Sequence, residues 1–521
     1  MMNFIKNFFK KYRLFLSNNE KKFILNNSKF STFDPKKKTI IFIFNYDYYF
    51  LLLYKNLINE KNLLKNHNIV GIWSTNVYSN KNKNSLIYKL KLVLNITYDL
   101  IIFYKCKKIF SSIGFSKFYH YNFSYYFRKK IIVSDSKFKF QNLNELIQYK
   151  FNDIWLGDLI HDTFVKFTSS PTVDLDHPIL KKIVKKSIST LEFIKELDND
   201  LNFKMLISPY SSYLSFGPIV RYSSINNKEI FTCGSMFSYF KKNFPTRPLH
   251  SENSLNFKKM FESLEDKDEK IELSKKEMDE KFSGKKVISN QYIAVNTYDE
   301  KFYKYDDERL NQLDGIVFLH DYFDAAHDQE NLIFNNFYDW SEYTFNLIKN
   351  EKLNIGIKTH PNSVHDSKKV EESFKKKYPE LIWIDSKVSN LNIFKKKNIK
   401  FGVSVNGSVL YELPYFNKLG ISCGTNPTSA FDFNLNPKNL NEYKYFLKNA
   451  HRENFKQIDL IEVYKMYYAY CMLNKDDISL VSRDLSLLSF KSKINYDDNC
   501  LIKLDNLISE KLKKLDTLKD D

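Results

Sequence analysis

The chain has 521 residues, with 80 Lys+Arg against 61 Asp+Glu and a formal charge of +19 at pH 7. At roughly 100–200 residues per domain, that length corresponds to about two to four domains. With only 12 Gly and 12 Pro it is not collagen-like, linker-like or mucin-like, and 16% aromatic residues supply too much core-forming material for a disordered chain.

The basic balance has two readings. Heavy use of Lys, Asn, Ile, Phe and Tyr is the bias that AT-rich coding DNA produces, and it accounts for the charge by composition alone. The other reading is a surface that favours anionic partners such as nucleotides, acidic glycans or membrane headgroups. No zinc finger, aromatic RNA-recognition signature or basic zipper region is present, which argues against nucleic acid as a partner. Cys106, Cys233, Cys423, Cys471 and Cys500 are scattered and never form C-x-x-C. That spacing argues against a disulfide framework and against structural zinc, and it fits a reducing compartment.

The first residues, MMNFIKNFFKKYRLFL, place Phe4, Ile5, Phe8, Phe9, Tyr12, Phe15 and Leu16 at helical spacing, with Lys6, Lys10, Lys11 and Arg13 between them. This predicts an amphipathic basic helix over residues 1–20, suited either to an anionic membrane face or to packing on its own domain. The segment lacks the small-residue cleavage site of a signal peptide. The longest apolar candidate, Thr39–Tyr54, is interrupted by Asn45 and Asp47 and falls short of the run of about 20 that a spanning helix needs.

Farther on, β-branched and aromatic runs alternate with helical stretches. Thr39–Phe44 and Asn68–Trp73 read as buried strands, and Lys130–Ser134 as a third. Asp99–Ile109 fits helix or strand. Residues 254–290, dense in both charge signs, predict a solvated helical connector. A second series follows: strands at Asp314–Leu319, Leu353–Lys358, Leu381–Ile384, Phe401–Val405 and Leu419–Cys423, with helices at Phe334–Lys349 and Ser408–Phe416. Such alternation predicts parallel sheets covered by helices. The expected organisation is an N-terminal helix (1–20), a Rossmann-like domain (21–253), the connector (254–290), a second Rossmann-like domain (291–459) and C-terminal helices (460–521).

Ligands of open α/β sheets sit at the carboxyl ends of strands, and polar clusters stand at three such ends in the second unit. The first runs from His320 and Asp321 through Asp324 to His327, and could bind a metal, place a base, bond a sugar or simply stabilise a loop. The second is Lys358-Thr359-His360-Pro361, where the proline keeps His360 extended at the strand end and able to donate to a phosphate. The third is Asn406-Gly407-Ser408 ahead of a helix, which fits an anion cradle or a plain cap. No G-x-x-x-x-G-K-[ST] loop occurs. In the first unit, Asp158 and Asp162 flank His161 in GDLIHD and supply candidate bases for deprotonating a hydroxyl, or merely a helix start. Tyr210, Tyr213, Gly217 and Arg221 in PYSSYLSFGPIVR suit a sugar or acidic acceptor, though the segment also reads as a surface loop turning at Gly217-Pro218.

Taken together, GDLIHDTF (157–164), SYLSFGPIVR (212–221), FLHDYFDAAHD (318–328), FNNFYDW (334–340), IKTHPNS (357–363) and NGSVLYELPYFNKLGIS (406–422) resemble bacterial surface-polysaccharide glycosyltransferases of the GT-B type, including capsule-biosynthesis proteins. The His-Pro and Gly-Ser pieces are also similar to motifs of sialyltransferases, Kdo transferases and CDP-glycerol-type polymerases. The resemblance implies an α/β fold of two Rossmann-like domains facing a cleft. It implies metal-independent transfer of a sugar from a nucleotide-activated donor to a glycan or lipid-linked glycan, with no cofactor beyond that donor. Carried over, His360 and Ser408 would hold the leaving phosphate, Glu412 would lie by the donor's sugar or ribose, and Asp158 or Asp162 would serve as base. The strand-end clusters add Lys358, Asn406, Gly407, His320 and Asp321 as candidates near the donor, and the 209–221 segment adds Tyr213 and Arg221 for the acceptor. The expected location is the cytoplasm, with peripheral contact at the inner membrane. Phospho-polyol transfer, a non-catalytic export scaffold and a sugar epimerase are the alternatives.

Overall fold

The computed structural model describes residues 15–45, 48–73, 86–121, 139–234, 239–243, 256–283, 307–328, 331–360, 366–473 and 498–513. The amphipathic segment over residues 1–14 and the strand expected at Lys130–Ser134 lie outside them.

The first unit opens with a helix, α1 (Asn18–Asn26), whose start is fixed by a reciprocal cap between Ser17 and Glu20. Strand β1 (Lys38–Phe44) is buried at every position after Lys38, as a strand covered on both faces must be. It lies between β2 (His67–Trp73) and β4 (Met205–Ser208), with Ile40 opposite both Ile69 and Met205. With β3 (Phe115–His120), β5 (Glu229–Gly234) and β6 (Tyr239–Asn243) the sheet order is β3-β2-β1-β4-β5-β6. All neighbours are parallel except the final pair. This is the doubly wound Rossmann order, whose direction reverses between β1 and β4. Helices α2 (Tyr48–Glu60) and α3 (Leu86–Ser111) join β1 to β2 and β2 to β3, so the ambiguous run at 99–109 is helix. Further along come α4 (Gly157–Thr168), α5 (Pro178–Leu201) and α6 (Tyr213–Ile225). The segment that reads as a loop turning at Gly217-Pro218 is therefore the first half of α6, with Gly217 and Pro218 buried in it.

The expected solvated connector is instead packed. It forms α7 (Asn256–Glu262) and α8 (Lys267–Phe282), and Phe257, Phe261, Met278 and Phe282 are buried against the second unit. Two i, i+4 apolar pairs suffice to bury one stripe of each helix, a signal that the surrounding charges mask.

Among the described residues, the second unit has five parallel strands: β7 (Gly315–Phe318), β8 (Ile355–Lys358), β9 (Trp383–Ile384), β10 (Phe401–Val403) and β11 (Leu419–Ile421). Their order is β9-β8-β7-β10-β11, again doubly wound, with the reversal between β7 and β10. Helices α9 (Phe337–Glu351), α10 (Ser367–Lys377) and α11 (Val409–Tyr415) cover it. The chain then runs through α12 (Leu460–Tyr467), which packs with the connector, and the described residues close with α13 (Asp498–Lys513). That last helix crosses back to the first unit. Asn56 on α2 donates to Asp505 Oδ1 at 2.7 Å, Lys55 pairs with the same carboxylate, and Ser509 donates to Glu60 at 2.7 Å.

One apolar core runs unbroken through both units, from Ile41 and Val70 in the first sheet to Val317 and Ile357 in the second. Cys106, Cys233 and Cys423 are buried thiols, and burial pushes the Cys233 thiol up to about 12. No helix among the described residues is long and apolar enough to cross a membrane.

Candidate functional site

The two sheets meet at their switch points. Strand β4 ends at Ser208, and the short turn after it delivers Ser212 to the start of α6; strand β7 ends at Phe318 and leads into the loop Leu319–Asp328. Ser212 Oγ donates to Asp328 Oδ2 at 2.7 Å, so the carboxyl edge of one sheet faces that of the other. Doubly wound folds bind ligands in this position, outside strand carboxyl ends where the order reverses.

Beside that contact, α4 carries Asp162 to the second unit. Its first residue, Gly157, fits only because it lacks a side chain: a Cβ would lie 1.9 Å from the carbonyl oxygen of Leu146. Asp162 Oδ1 accepts from His161 Nδ1 at 3.0 Å and from His327 Nδ1 at 2.7 Å. Its Oδ2 accepts the backbone N–H of His327 at 3.1 Å. On the far side of His161, Asn336 Nδ2 lies 3.5 Å from Nε2 and also donates to Thr172 Oγ1 at 3.0 Å. Asn336 is itself fixed as the N-cap of α9.

The electrostatics follow from this bonding. Burial opposes an ionised Asp162, yet the two imidazoles hold its carboxyl well below the usual range. Burial lowers the pKa of His161 despite the Asp162 bond, so it stays neutral, donating from Nδ1 and accepting at Nε2. Burial also opposes charging His327, but Asp162, Asp158 and Asp328 outweigh it and raise the pKa. For Asp328, burial, joined by Asp162 and Asp324, pushes the carboxyl up to about 8. The ligand atoms of His161, Asp162 and His327 lie within 4.8 Å of one another, the convergence a metal would need. In this arrangement both Nδ1 hydrogens are already directed at one carboxylate oxygen.

The other candidate carboxylate of the first unit is differently employed. Asp158 and Arg221 are buried and bind each other through two parallel hydrogen bonds, one of 2.5 Å from Nη1 to Oδ1. Arg221 also donates to the Trp155 carbonyl at 2.6 Å and lies 4.6 Å from that ring's centre. An acid locked in a bidentate pair is a poor proton acceptor, and a buried guanidinium cannot reach a diffusing glycan. The structure thus places the expected base Asp158 and the expected acceptor contact Arg221 together in one buried ion pair. Tyr213 stands at the first turn of α6 with φ at 56°, the left-handed region that costs a bulky residue strain. Burial and the surrounding Asp324, Asp328, Asp162 and Asp321 raise its hydroxyl pKa, which places that ring among the acids of the meeting point.

In the second unit, His320 stacks on Phe337 at 4.3 Å, and its ring centre is 6.2 Å from that of His360. Burial, then His320, lowers the His360 pKa to about 4, so this imidazole is neutral. Asp321 braces the loop, accepting from Ser367 Oγ and from the Phe323 N–H, each at 2.9 Å. Lys358 is buried, donates to the Ser386 carbonyl at 3.3 Å, and has its pKa lowered by burial to about 8. Asn406 and Gly407 are half-buried and Ser408 is exposed, following β10 on the other side of the switch point. The helix they precede has seven residues, and Ser408 does not cap it with its side chain. Glu412, expected near the donor sugar, is buried and bound to Lys281 of the connector at 2.9 Å. Its carboxylate joins two helices rather than lining an opening.

The site thus unites His320, Asp321 and His360 at one sheet and Asp162 and Tyr213 at the other. Sequence reasoning quoted His161 and His327 in their motifs but gave them no shared role. The adjacent His161-Asp162 pair was the available signal; the partner across the interface was not.

The fold and site define a class: two Rossmann-like α/β units, facing each other at their strand carboxyl ends, with polar loops meeting at both switch points. No family model matches the chain, and no curated protein matches it. Among solved structures, it is similar to Anabaena Alr3699/HepE in complex with UDP and glucose, at 8% identity over 91% of this chain and 99% of that one, with a TM-score of 0.27. A glycosyltransferase from Rickettsia africae aligns at 10% identity over 92% and 99% of the two chains, with a TM-score of 0.21. The UDP-GlcNAc 2-epimerase from Neisseria meningitidis bound to UDP-GlcNAc aligns at 9% identity over 92% and 100%, with a TM-score of 0.18.

Proposed function

We propose that this chain is a GT-B-type glycosyltransferase that moves a sugar from a nucleotide-activated donor to a glycan hydroxyl in the assembly of bacterial surface polysaccharide. The observation that carries the reading is the meeting of the two switch-point loops through Ser212 and Asp328. A two-substrate transfer needs two binding edges facing each other, and each doubly wound sheet presents its ligand-binding edge here. The donor's phosphates belong on the second unit, where His320 and His360 flank β7 and β8 and Asn406-Gly407-Ser408 follow β10. A neutral His360 contributes one N–H to a phosphate oxygen without a charge of its own. The role in surface polysaccharide and the relation to sialyltransferases and Kdo transferases rest on the sequence motifs.

Thermal-shift titration of the full chain with CMP, CDP, UDP and GDP tests this reading. One nucleotide should raise the Tm progressively with concentration, and His360→Ala should abolish the rise. Absence of any shift at millimolar nucleotide would reject it.

A further inference from the structure

We propose that His327 is the general base of the transfer reaction and that Asp162 is the positioning residue that holds its ring across the interface between the two units. The inference deepens the glycosyltransferase reading and rests on it.

The argument is one of hydrogen-bond accounting. An ionised carboxylate can only accept, so the 2.7 Å bond to Asp162 Oδ1 places the imidazole proton of His327 on Nδ1. In the neutral ring, the form that acts as a base, Nε2 then carries the lone pair, and it has no hydrogen-bond partner among the described residues. The other candidates are already committed. Asp162 takes three hydrogen bonds on its two oxygens. His161 donates to Asp162 and faces the Asn336 amide, and its side chain is 1% exposed. Asp158 is held by Arg221. The side chain of His327 is 10% exposed, the most open of the network, and it follows directly on the loop from β7 that also carries His320.

The backbone N–H of His327 bonding to Asp162 Oδ2 adds a second tie, so ring and main chain are fixed by one carboxylate. A carboxylate in this position sets the tautomer and stabilises the imidazolium that forms, without itself taking the proton. In the reaction, the acceptor hydroxyl oxygen forms a bond to the anomeric carbon while its proton passes to His327 Nε2. The bond from that carbon to the donor's phosphate oxygen breaks, and its electron pair leaves with the nucleotide. The imidazolium, paired with Asp162, returns its proton to solvent.

The test follows nucleotide release by the full chain from UDP-glucose, UDP-N-acetylglucosamine, GDP-mannose and CMP-N-acetylneuraminate, with water and methyl glycosides as acceptors, and records nucleotide thermal shifts in parallel. His327→Gln should lower release by about 10²–10⁴-fold while keeping the nucleotide shift. Added imidazole should restore part of the rate to His327→Ala, a response that a merely structural histidine would not give. Asp162→Asn should lower the rate and move the acidic limb of the pH profile to lower pH, because the anion that raises the His327 pKa is gone. Release by His327→Gln within about threefold of wild type would overturn the assignment. Loss of release on chelation, restored by a divalent cation, would overturn it in favour of a metal on the same three side chains. No nucleotide shift and no release by the wild type would overturn the transferase reading together with it.

Discussion

Asp162 and His327 stand 165 positions apart in the chain and share a 2.7 Å hydrogen bond that joins one Rossmann-like unit to the other. The bond lies beside the Ser212–Asp328 contact and near the Asn336–Thr172 bond, so several polar links cross where the sheet edges meet. The consequences are open to measurement.

The Asp158–Arg221 pair should be a stability element. Both groups are buried, so removing one leaves the other charged and desolvated. Arg221→Met should lower the free energy of unfolding by about 3–5 kcal/mol, whereas replacing both residues by apolar ones of similar volume should cost much less. Urea denaturation of the single and double variants checks this. A single variant within about 1 kcal/mol of wild type would show that the pair contributes little.

Acid stability should carry the signature of His360. Its folded pKa of about 4 lies below the unfolded value of about 6.5, so between those pH values the unfolded chain binds more protons than the folded one. Stability attributable to this group is therefore complete above pH ~6.5 and declines as pH falls toward 4. Comparing unfolding of wild type and His360→Gln across that range should show the wild type losing ground on acidification. Parallel curves would place the ring in solvent.

Tyr213 should trade stability for function. Its φ of 56° is costly for a bulky side chain and is tolerated far better by Asn or Gly. Tyr213→Asn should relieve about 1 kcal/mol of backbone strain, visible as a smaller loss of Tm than Tyr213→Val, while weakening transfer through loss of the ring. Equal losses for Asn and Val would argue against strain.

The final helix should act as a clasp on the first unit. Asp505 receives both Lys55 and Asn56, and Leu504, Ile508 and Leu512 are buried in the same apolar cluster as β1. Asp505→Ala should raise hydrogen exchange in α2 and α13 and leave β8 unchanged. Uniform exchange throughout the chain would contradict this local role.

Much of the second unit is legible in the sequence. GIVF, IGIK and FGV sit inside runs of apolar and β-branched residues that no amphipathic helix would use. The first unit is harder to read. Phe115–His120 mixes apolar and polar positions near the sheet margin, and Tyr239–Asn243 is a charged outer strand. Strands this polar carry no distinctive period, and their neighbours in the sheet define them. The connector misleads for a related reason, since four buried residues among many charges are enough to dock two helices.

By itself, the sequence determined the alternation of strands and helices and the polar clusters that follow the strands, because hydrophobic period and turn chemistry are local properties of the chain. The tertiary structure alone decided what each cluster does with its charges. Asp158 and Asp162 are four residues apart on one helix, and nothing in GDLIHD separates them. Folding sends Asp158 to Arg221 and Asp162 to His327. Desolvation makes each carboxylate depend on the partner it finds, and those partners come from parts of the chain that meet only in three dimensions.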